Sequence, residues 1–96
     1  MKFNNTSESI GLRGNREYFR WRVYVDEPPN ILATIKEVEY LLHSTFPEPQ
    51  QIRTNPTNSF ALETSGWGTF TIQVTVRFND SHEEHLGYEL KLGAIA

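Results

Sequence analysis

The chain has 96 residues, 38% of them hydrophobic and 12% aromatic, which is enough for one small core and too little for two. It contains no cysteine, which excludes disulfides and thiolate zinc sites. Its net charge of -3 argues against a nucleic-acid-binding surface.

Charge is distributed unevenly along the chain. Residues 1–25 carry five basic and two acidic side chains, whereas residues 26–63 carry two basic and six acidic ones. The acidic stretch either favours a basic partner or forms a solvated face, and the solvated face is the simpler explanation. No apolar run approaches the roughly 20 residues of a membrane span, and no signal peptide opens the chain. We therefore predict a cytoplasmic protein that contacts no membrane and binds no nucleic acid directly.

Alternation with a period of two residues predicts the first strands, because successive side chains of a strand point to opposite faces. Residues 3–12 are expected to form an edge strand. Residues 19–25 alternate clearly, with apolar positions expected in the core at Phe19, Trp21, Val23 and Val25. A third run, residues 34–43, has its apolar face at Val38, Tyr40 and Leu42. Helix propensity is also fair in this run, so a helix over 35–42 is the alternative.

The second half of the chain contains the clearest strand, over residues 69–78. Its apolar side chains fall on one face, at Phe70, Ile72, Val74, Val76 and Phe78. Before it, residues 59–63 are predicted to form a short strand that ends at a turn over 65–66. After it, a turn at 79–80 leads into a strand over 85–92, so the last two strands should form a hairpin.

Proline-containing segments at 28–29, 47–49 and 55–58 separate these strands. Because proline cannot donate a hydrogen bond to a strand ladder, these segments are predicted to be loops or edges. Six or seven short strands at a spacing of roughly ten residues are typical of a β-sandwich. The sequence therefore predicts one all-β domain over residues 1–96.

Two loops at strand ends hold the side chains best suited to binding. Residues 42–47, Leu-His-Ser-Thr-Phe-Pro, present an imidazole, two hydroxyls and a large ring. Residues 65–70, Ser-Gly-Trp-Gly-Thr-Phe, place a tryptophan between two glycines. Glycine adopts backbone conformations that other residues avoid and leaves room for a close approach, and we expect both properties at Gly66 and Gly68. Sandwiches place binding loops at strand ends, as here.

The order of these segments resembles the YEATS domain family, and especially its prokaryotic branch. The resemblance covers residues 19–92 and depends on two motifs. Leu-His-x-x-Phe-Pro lies at 42–47, and Gly-Trp-Gly-x-Phe follows it at 66–70. Neither motif is specific alone, whereas the pair is quite specific. The resemblance implies an immunoglobulin-like β-sandwich of about seven to eight antiparallel strands.

The resemblance also implies a ligand. Eukaryotic YEATS domains read acetylated and crotonylated lysine, chiefly on histone tails, which implies an acyl-lysine slot between the two loops of this chain. By position, Phe46 and Trp67 would be the walls that enclose the flat acyl amide. Many such readers have a third aromatic wall, and in this chain Glu17 or Tyr18 falls in the corresponding region.

Polar groups complete the slot that the resemblance implies. Thr45 stands where the family has a serine that hydrogen-bonds the acyl amide, and the threonine hydroxyl can make the same bond. His43 would shape the edge of the slot. Gly66 and Gly68 would allow the backbone N–H near Trp67 to approach the acyl oxygen.

Each of these side chains also has a purely structural interpretation. Trp67 and Phe46 are equally well explained as packing residues. His43 is explained as a histidine whose hydrogen bonds are met within the fold, and Thr45 as a residue that braces the turn. Trp21 lies in the middle of a strand on its inward face and is predicted to be core.

The remaining polar residues do not indicate a metal site or a catalytic site. His82 and His85 are three residues apart near a hairpin turn, unlike the His-Glu-x-x-His zinc signature, and are predicted to be solvated. Ser44 beside His43 cannot form a triad, because adjacent side chains of a strand face opposite ways. We therefore predict a protein that is not an enzyme and needs no metal and no cofactor.

Two functions from different classes fit these observations. The leading hypothesis is a binding module whose partner is an acylated-lysine peptide. The alternative is a non-reading accessory or protein-interaction domain in a prokaryotic signalling or defence system, whose partner is another protein. An enzyme with a divergent site at His43 is a distant third hypothesis.

Overall fold

Seven β-strands form two sheets in a computed structural model of the chain, which describes residues 1–92. The strands are β1 (Phe3–Arg13), β2 (Arg16–Val25), β3 (Ile35–Leu41), β4 (Gln50–Arg53), β5 (Leu62–Gly66), β6 (Thr71–Phe78) and β7 (Glu83–Glu89). A four-residue helix, α1 (Pro29–Leu32), follows β2. A single 3-10 turn, Pro56–Asn58, precedes β5. Neither helical segment is long and apolar enough to cross a membrane.

The strands pair antiparallel in both sheets. One sheet has three strands in the order β1-β2-β5, and the other has four in the order β4-β3-β6-β7. This arrangement is the predicted immunoglobulin-like β-sandwich, which is thereby confirmed. The predicted edge strand near the N-terminus is β1, and it does lie at the edge of its sheet. The predicted hairpin of the last two strands is formed by β6 and β7.

The core lies between the two sheets and is built mostly from side chains that alternation assigned to the inward faces, although Phe19, also predicted to point inward, is only half-buried. Most of its fully buried side chains come from β2, β3, β5 and β6, with Phe60 just before β5, and they include Trp21, Val23, Val25, Val38, Tyr40, Leu62, Ile72, Val74 and Val76. Trp21 is 1% exposed, which confirms it as a core residue. Burying each large aliphatic side chain contributes about 1.5–3 kcal/mol, so these few strands supply most of the stability.

One buried hydrogen bond joins the two sheets through side chain and backbone. The hydroxyl of Tyr40 in β3 donates to the carbonyl oxygen of Phe60, just before β5, at 2.7 Å. Burial raises the pKa of Tyr40, because the phenolate would lose its hydration there. Ser59 and Phe60 both have positive φ, 60° and 56°, which is unusual for residues with a side chain. The chain therefore enters β5 through a constrained bend.

Several predicted boundaries differ from the structure. Residues 35–41 are a strand, so the helix alternative there is wrong. The strand predicted over 59–63 begins only at Leu62, because the left-handed bend at 59–60 precedes it. The turn predicted at 65–66 is also wrong: both residues continue β5, whose pairing with β2 extends to Gly66 opposite Phe19. Strand β4 was not predicted.

Candidate functional site

A cavity of about 580 Å³ opens at one end of the sandwich, where the loop after β3 meets the loop between β5 and β6. Its lining comes from these two loops, from β2 and from the end of β5, and consists of Tyr18, His43, Thr45, Phe46, Pro47, Ser65, Gly66, Trp67, Gly68, Thr69 and Phe70. The structure thus brings together around one space all six residues that the sequence singled out. Their role in binding a ligand stays a prediction.

Phe46 belongs to an aromatic cluster beneath this cavity. Its ring meets Trp21 edge-on, with centroids 6.5 Å apart, and lies 5.5 Å from Phe70. Phe70 in turn lies 6.1 Å from Trp21 and 6.2 Å from His43. Edge-to-face and tilted contacts of this kind are the favourable arrangements for aromatic rings. Phe46 is therefore both a packing residue, half-buried against the core, and part of the cavity surface.

Trp67 occupies a different environment. Its side chain is 49% exposed, so the interpretation of Trp67 as a cap on the core is wrong. The guanidinium of Arg16 stacks on its indole, 3.7 Å from the ring centroid. Such stacking of a cation on an indole is worth about 0.5–1 kcal/mol at an exposed site. Trp67 therefore lines the cavity without being buried in the core, and Arg16 stabilises it by stacking on its ring.

His43 and Thr45 form a small hydrogen-bonded unit at the cavity. The backbone N–H of Thr45 donates to His43 Nδ1 at 3.2 Å, and the Thr45 hydroxyl lies 3.0 Å from the same nitrogen. An Nδ1 that accepts the backbone N–H is unprotonated, so the hydroxyl donates to it as well. The Thr45 oxygen then keeps its lone pairs for an incoming N–H donor. The imidazole therefore orients the hydroxyl as an acceptor.

Gly66 and Gly68 affect the cavity through the space that their missing side chains leave. Positive φ occurs at Gly11 and Gly14 and at neither Gly66 nor Gly68, so the expectation of unusual backbone conformations at those two loop positions is wrong. A Cβ on Gly66 would lie 3.7 Å from Phe46 Cζ and 4.0 Å from Trp21 Nε1, which is ordinary van der Waals distance. A Cβ on Gly68 would meet nothing within 4 Å. Both positions leave space at the cavity.

Tyr18 also lines the cavity, together with the rings of Phe46, Trp67 and Phe70. Of the two sequence candidates, Tyr18 lines the cavity, whereas the exposed Glu17 does not. The pairing of β2 with β5 explains this position, because Phe19 lies opposite Gly66 and the next residues along are Tyr18 and Trp67. Strand register was the missing signal, since a single sequence does not display which strands pair.

The two histidines near the last hairpin, His82 and His85, contact different residues. The ring of His82 stacks on Phe78, with centroids 4.1 Å apart, and contacts Asp80. The backbone N–H of His82 and its imidazole hold the pKa of Asp80 below its ordinary value. His85 instead lies 3.1 Å from the Thr75 hydroxyl. Within residues 1–92, no group of three or more potential ligands could hold a metal ion.

Comparison with known proteins decides the family. The sequence model of the prokaryotic YEATS domain matches residues 19–91. The chain belongs to the YEATS domain family. The resemblance noted in its two loop motifs is thereby confirmed, and the cavity lies where those motifs meet.

Curated proteins that resemble this YEATS domain are eukaryotic and longer. The AF-9 homolog of Eremothecium gossypii is 31% identical over 91 residues, which are 88% of this chain and 43% of that protein. Subunit 14b of transcription initiation factor TFIID from Arabidopsis thaliana is 37% identical over 80 residues, 80% of this chain and 29% of that protein. The chain thus spans less than half the length of these relatives.

Solved structures show the same fold with bound peptides. The Yaf9 YEATS domain bound to H3K27ac matches with a TM-score of 0.78 and 28% identity. The match covers 97% of this chain and 71% of the Yaf9 chain. The Yaf9 YEATS domain recognising an H3K122suc peptide also matches with a TM-score of 0.78 and 28% identity. That match covers 94% of this chain and 70% of the Yaf9 chain. Such agreement places the sandwich of this chain firmly among YEATS domains.

Proposed function

We propose that this YEATS domain is a binding module that takes an acylated lysine side chain into the cavity between residues 43–47 and 66–69. The single observation that carries the proposal is the convergence of Phe46, Trp67 and the oriented Thr45 hydroxyl on one cavity. Relatives of the same fold are bound to acetylated and succinylated histone H3 peptides, which supports this ligand class.

The chemistry of the cavity suits a neutral amide. Acylation removes the charge of lysine and leaves a planar group whose face stacks on aromatic rings and whose N–H and C=O need partners. In the proposal, the amide N–H donates to Thr45 Oγ1, and a backbone N–H of residues 66–69 donates to the acyl oxygen. Among residues 1–92, no carboxylate lines the cavity, so an unmodified lysine ammonium would find no counter-charge from these residues there.

This role is recognition and includes no chemical step. A histidine and a threonine hydroxyl lie at the cavity, yet their mutual hydrogen bond serves to orient an acceptor for the ligand. The partner is accordingly an acylated peptide of a protein, and the cytoplasmic location stays a prediction from the sequence.

A second function, docking of another protein, is favoured by the outer face of the four-stranded sheet. Leu41 and Ile52 lie on adjacent strands of that face, and each is 44% exposed. Beside them, Arg77 is bonded to Glu37 and Glu39, both at 2.7 Å. Exposed apolar side chains beside fixed charges are typical of protein contacts, so an accessory domain would use this face.

Titration with peptides separates the two functions. One peptide sequence would be prepared with acetyl-lysine, crotonyl-lysine and unmodified lysine, and binding followed by calorimetry and amide NMR shifts. We expect saturable shifts at residues 43–47 and 66–69 with the acylated peptides only. Trp67→Ala should abolish this binding, whereas Ile52→Ala, which removes a similarly exposed apolar side chain elsewhere, should not. No shift at millimolar peptide would contradict the proposal and favour the accessory function.

A further inference from the structure

Two arginines lie beside aromatic residues of the cavity in an arrangement that costs stability. Arg13 and Arg16 lie directly opposite each other across the β1–β2 hairpin. Like charges in this position repel and destabilise a strand pair. Neither guanidinium forms an ion pair among the described residues, whereas Arg20 on the same strand pairs with Glu8 at 2.7 Å. The hairpin thus holds two positive charges that the fold itself does not neutralise.

Both arginines contact aromatic side chains of the cavity. Arg16 stacks on Trp67, 3.7 Å from the ring centroid, and Arg13 lies 5.7 Å from the ring centroid of Tyr18. Neither arginine lines the cavity itself. Each guanidinium therefore lies beside a ring that itself lines the cavity.

The cavity lining contains no residue that would cancel this positive charge. None of its lining residues is an aspartate or a glutamate. Glu17 follows Arg16 in β2 and, by strand alternation, points to the opposite face. The screening length of about 8 Å at physiological salt exceeds the 3.7 Å between the Arg16 guanidinium and the Trp67 ring centroid. Arg13 and Arg16 therefore place positive charge beside two of the aromatic residues that line the cavity.

We propose that Arg13 and Arg16 make this cavity select acyl groups that end in a carboxylate, such as succinyl-lysine, over neutral acyl groups of the same length. This proposal rests on the proposed function and adds the charge of the acyl group as the basis of selection. A carboxylate that extends past the edge of Trp67 meets the guanidinium of Arg16, and the repulsion between the two arginines is relieved. Exposed pairs of this kind contribute modestly, so we expect a preference of about threefold to fivefold.

The experiment compares two peptides whose acyl groups end in a free carboxylate or in its neutral methyl ester. A peptide with glycine and alanine around one succinyl-lysine would be titrated alongside its methyl ester, so that the acyl carboxylate is the peptide's only variable charge. Dissociation constants for both would be measured at about 50 mM and 500 mM salt. The variants are Arg16→Gln, Arg13→Gln and the double variant. Arg22→Gln is the matched control, because Arg22 also lies on β2 near a tyrosine ring, 5.8 Å from the centroid of Tyr24.

Four outcomes decide the matter. A preference for the free carboxylate that shrinks at high salt, and disappears in the double variant but not in Arg22→Gln, supports the proposal. Equal affinities of the wild-type domain for both peptides overturn it while leaving acyl-lysine binding intact. An equal loss of both affinities in Arg16→Gln also overturns it, since Arg16 would then only hold Trp67 in place. Failure of both peptides to bind at all would overturn the proposed function as well.

Discussion

The hydroxyl of Tyr40 lies 2.7 Å from the carbonyl oxygen of Phe60, and both residues are fully buried. Tyr40 belongs to the four-stranded sheet, and Phe60 leads into the edge strand of the three-stranded one. The bond thus joins the sheets at the left-handed bend formed by Ser59 and Phe60. It fixes the start of β5, and through β5 the position of the loop that carries Trp67.

Tyr40→Phe should therefore destabilise the domain although it removes a single oxygen atom. The carbonyl of Phe60 would be left buried without its donor, which costs about 1–3 kcal/mol. Urea denaturation would measure the difference in the free energy of unfolding. The control is Tyr24→Phe, a half-buried tyrosine that faces outward from β2, which should change stability by less than about 0.5 kcal/mol. Equal stability of both variants would show that water replaces the lost donor.

Phe46→Ala and Trp67→Ala should have different effects on stability. Phe46 packs against Trp21 and Phe70, so its truncation should cost about 1–2 kcal/mol, less than the roughly 3–5 kcal/mol of a fully buried phenylalanine. Trp67 is half-exposed and contacts Arg16, so its truncation should cost under about 1 kcal/mol. Chemical denaturation of both variants tests this. A large loss with Trp67→Ala would mean that the indole supports the fold.

Gly66→Ala should separate folding from binding. The backbone at Gly66 does not have a positive φ, and the added methyl group would stand at van der Waals distance from Phe46 and Trp21. We expect the free energy of unfolding to change by less than about 0.5 kcal/mol. The same methyl group narrows the cavity, so acyl-lysine affinity should fall severalfold. Unchanged affinity would place the ligand away from Gly66.

Stability should fall in acid partly through Glu39. A hydrogen bond from Arg77 holds the pKa of Glu39 below its ordinary 4.5 in the folded state. The stabilisation that ionised Glu39 gives the folded state is therefore fully present above pH 4.5 and is lost as the pH falls through the pKa of Glu39 in the folded state. Glu39→Gln should flatten the decrease in the free energy of unfolding between about pH 6 and pH 3. The control Glu48→Gln removes an exposed loop carboxylate and should keep the wild-type slope, and an identical slope in both variants would contradict this assignment.

Much of the fold was predictable from alternation, because strands β2, β3 and β6 each bury one complete face. Strand β4 lacks that signal. It has four residues next to a proline-rich loop, and its apolar residue Ile52 faces solvent. The entry to β5 was misplaced for another reason: tertiary pairing with β2 keeps Ser65 and Gly66 extended, although their residue types favour a turn.

The candidate site was predictable where it depends on local motifs and not where it depends on strand register. The two loop motifs contain the six residues that the sequence singled out, and the fold places all of them at one cavity. Arg16 reaches the site only because β2 pairs with β5, and the same pairing decides that Tyr18 lines the cavity and Glu17, the other candidate from the sequence, does not. Cross-strand neighbours of this kind are set by three-dimensional pairing, which a single sequence does not encode in any local pattern.

The contrast between the two tryptophans gives the domain two independent optical reporters. Trp21 is 1% exposed and Trp67 is 49% exposed, so their emission bands should be separated, with that of Trp21 at shorter wavelength. A soluble quencher such as iodide should reach Trp67 and spare Trp21. One sample can then report the integrity of the core through Trp21 and the occupancy of the cavity through Trp67, without a label.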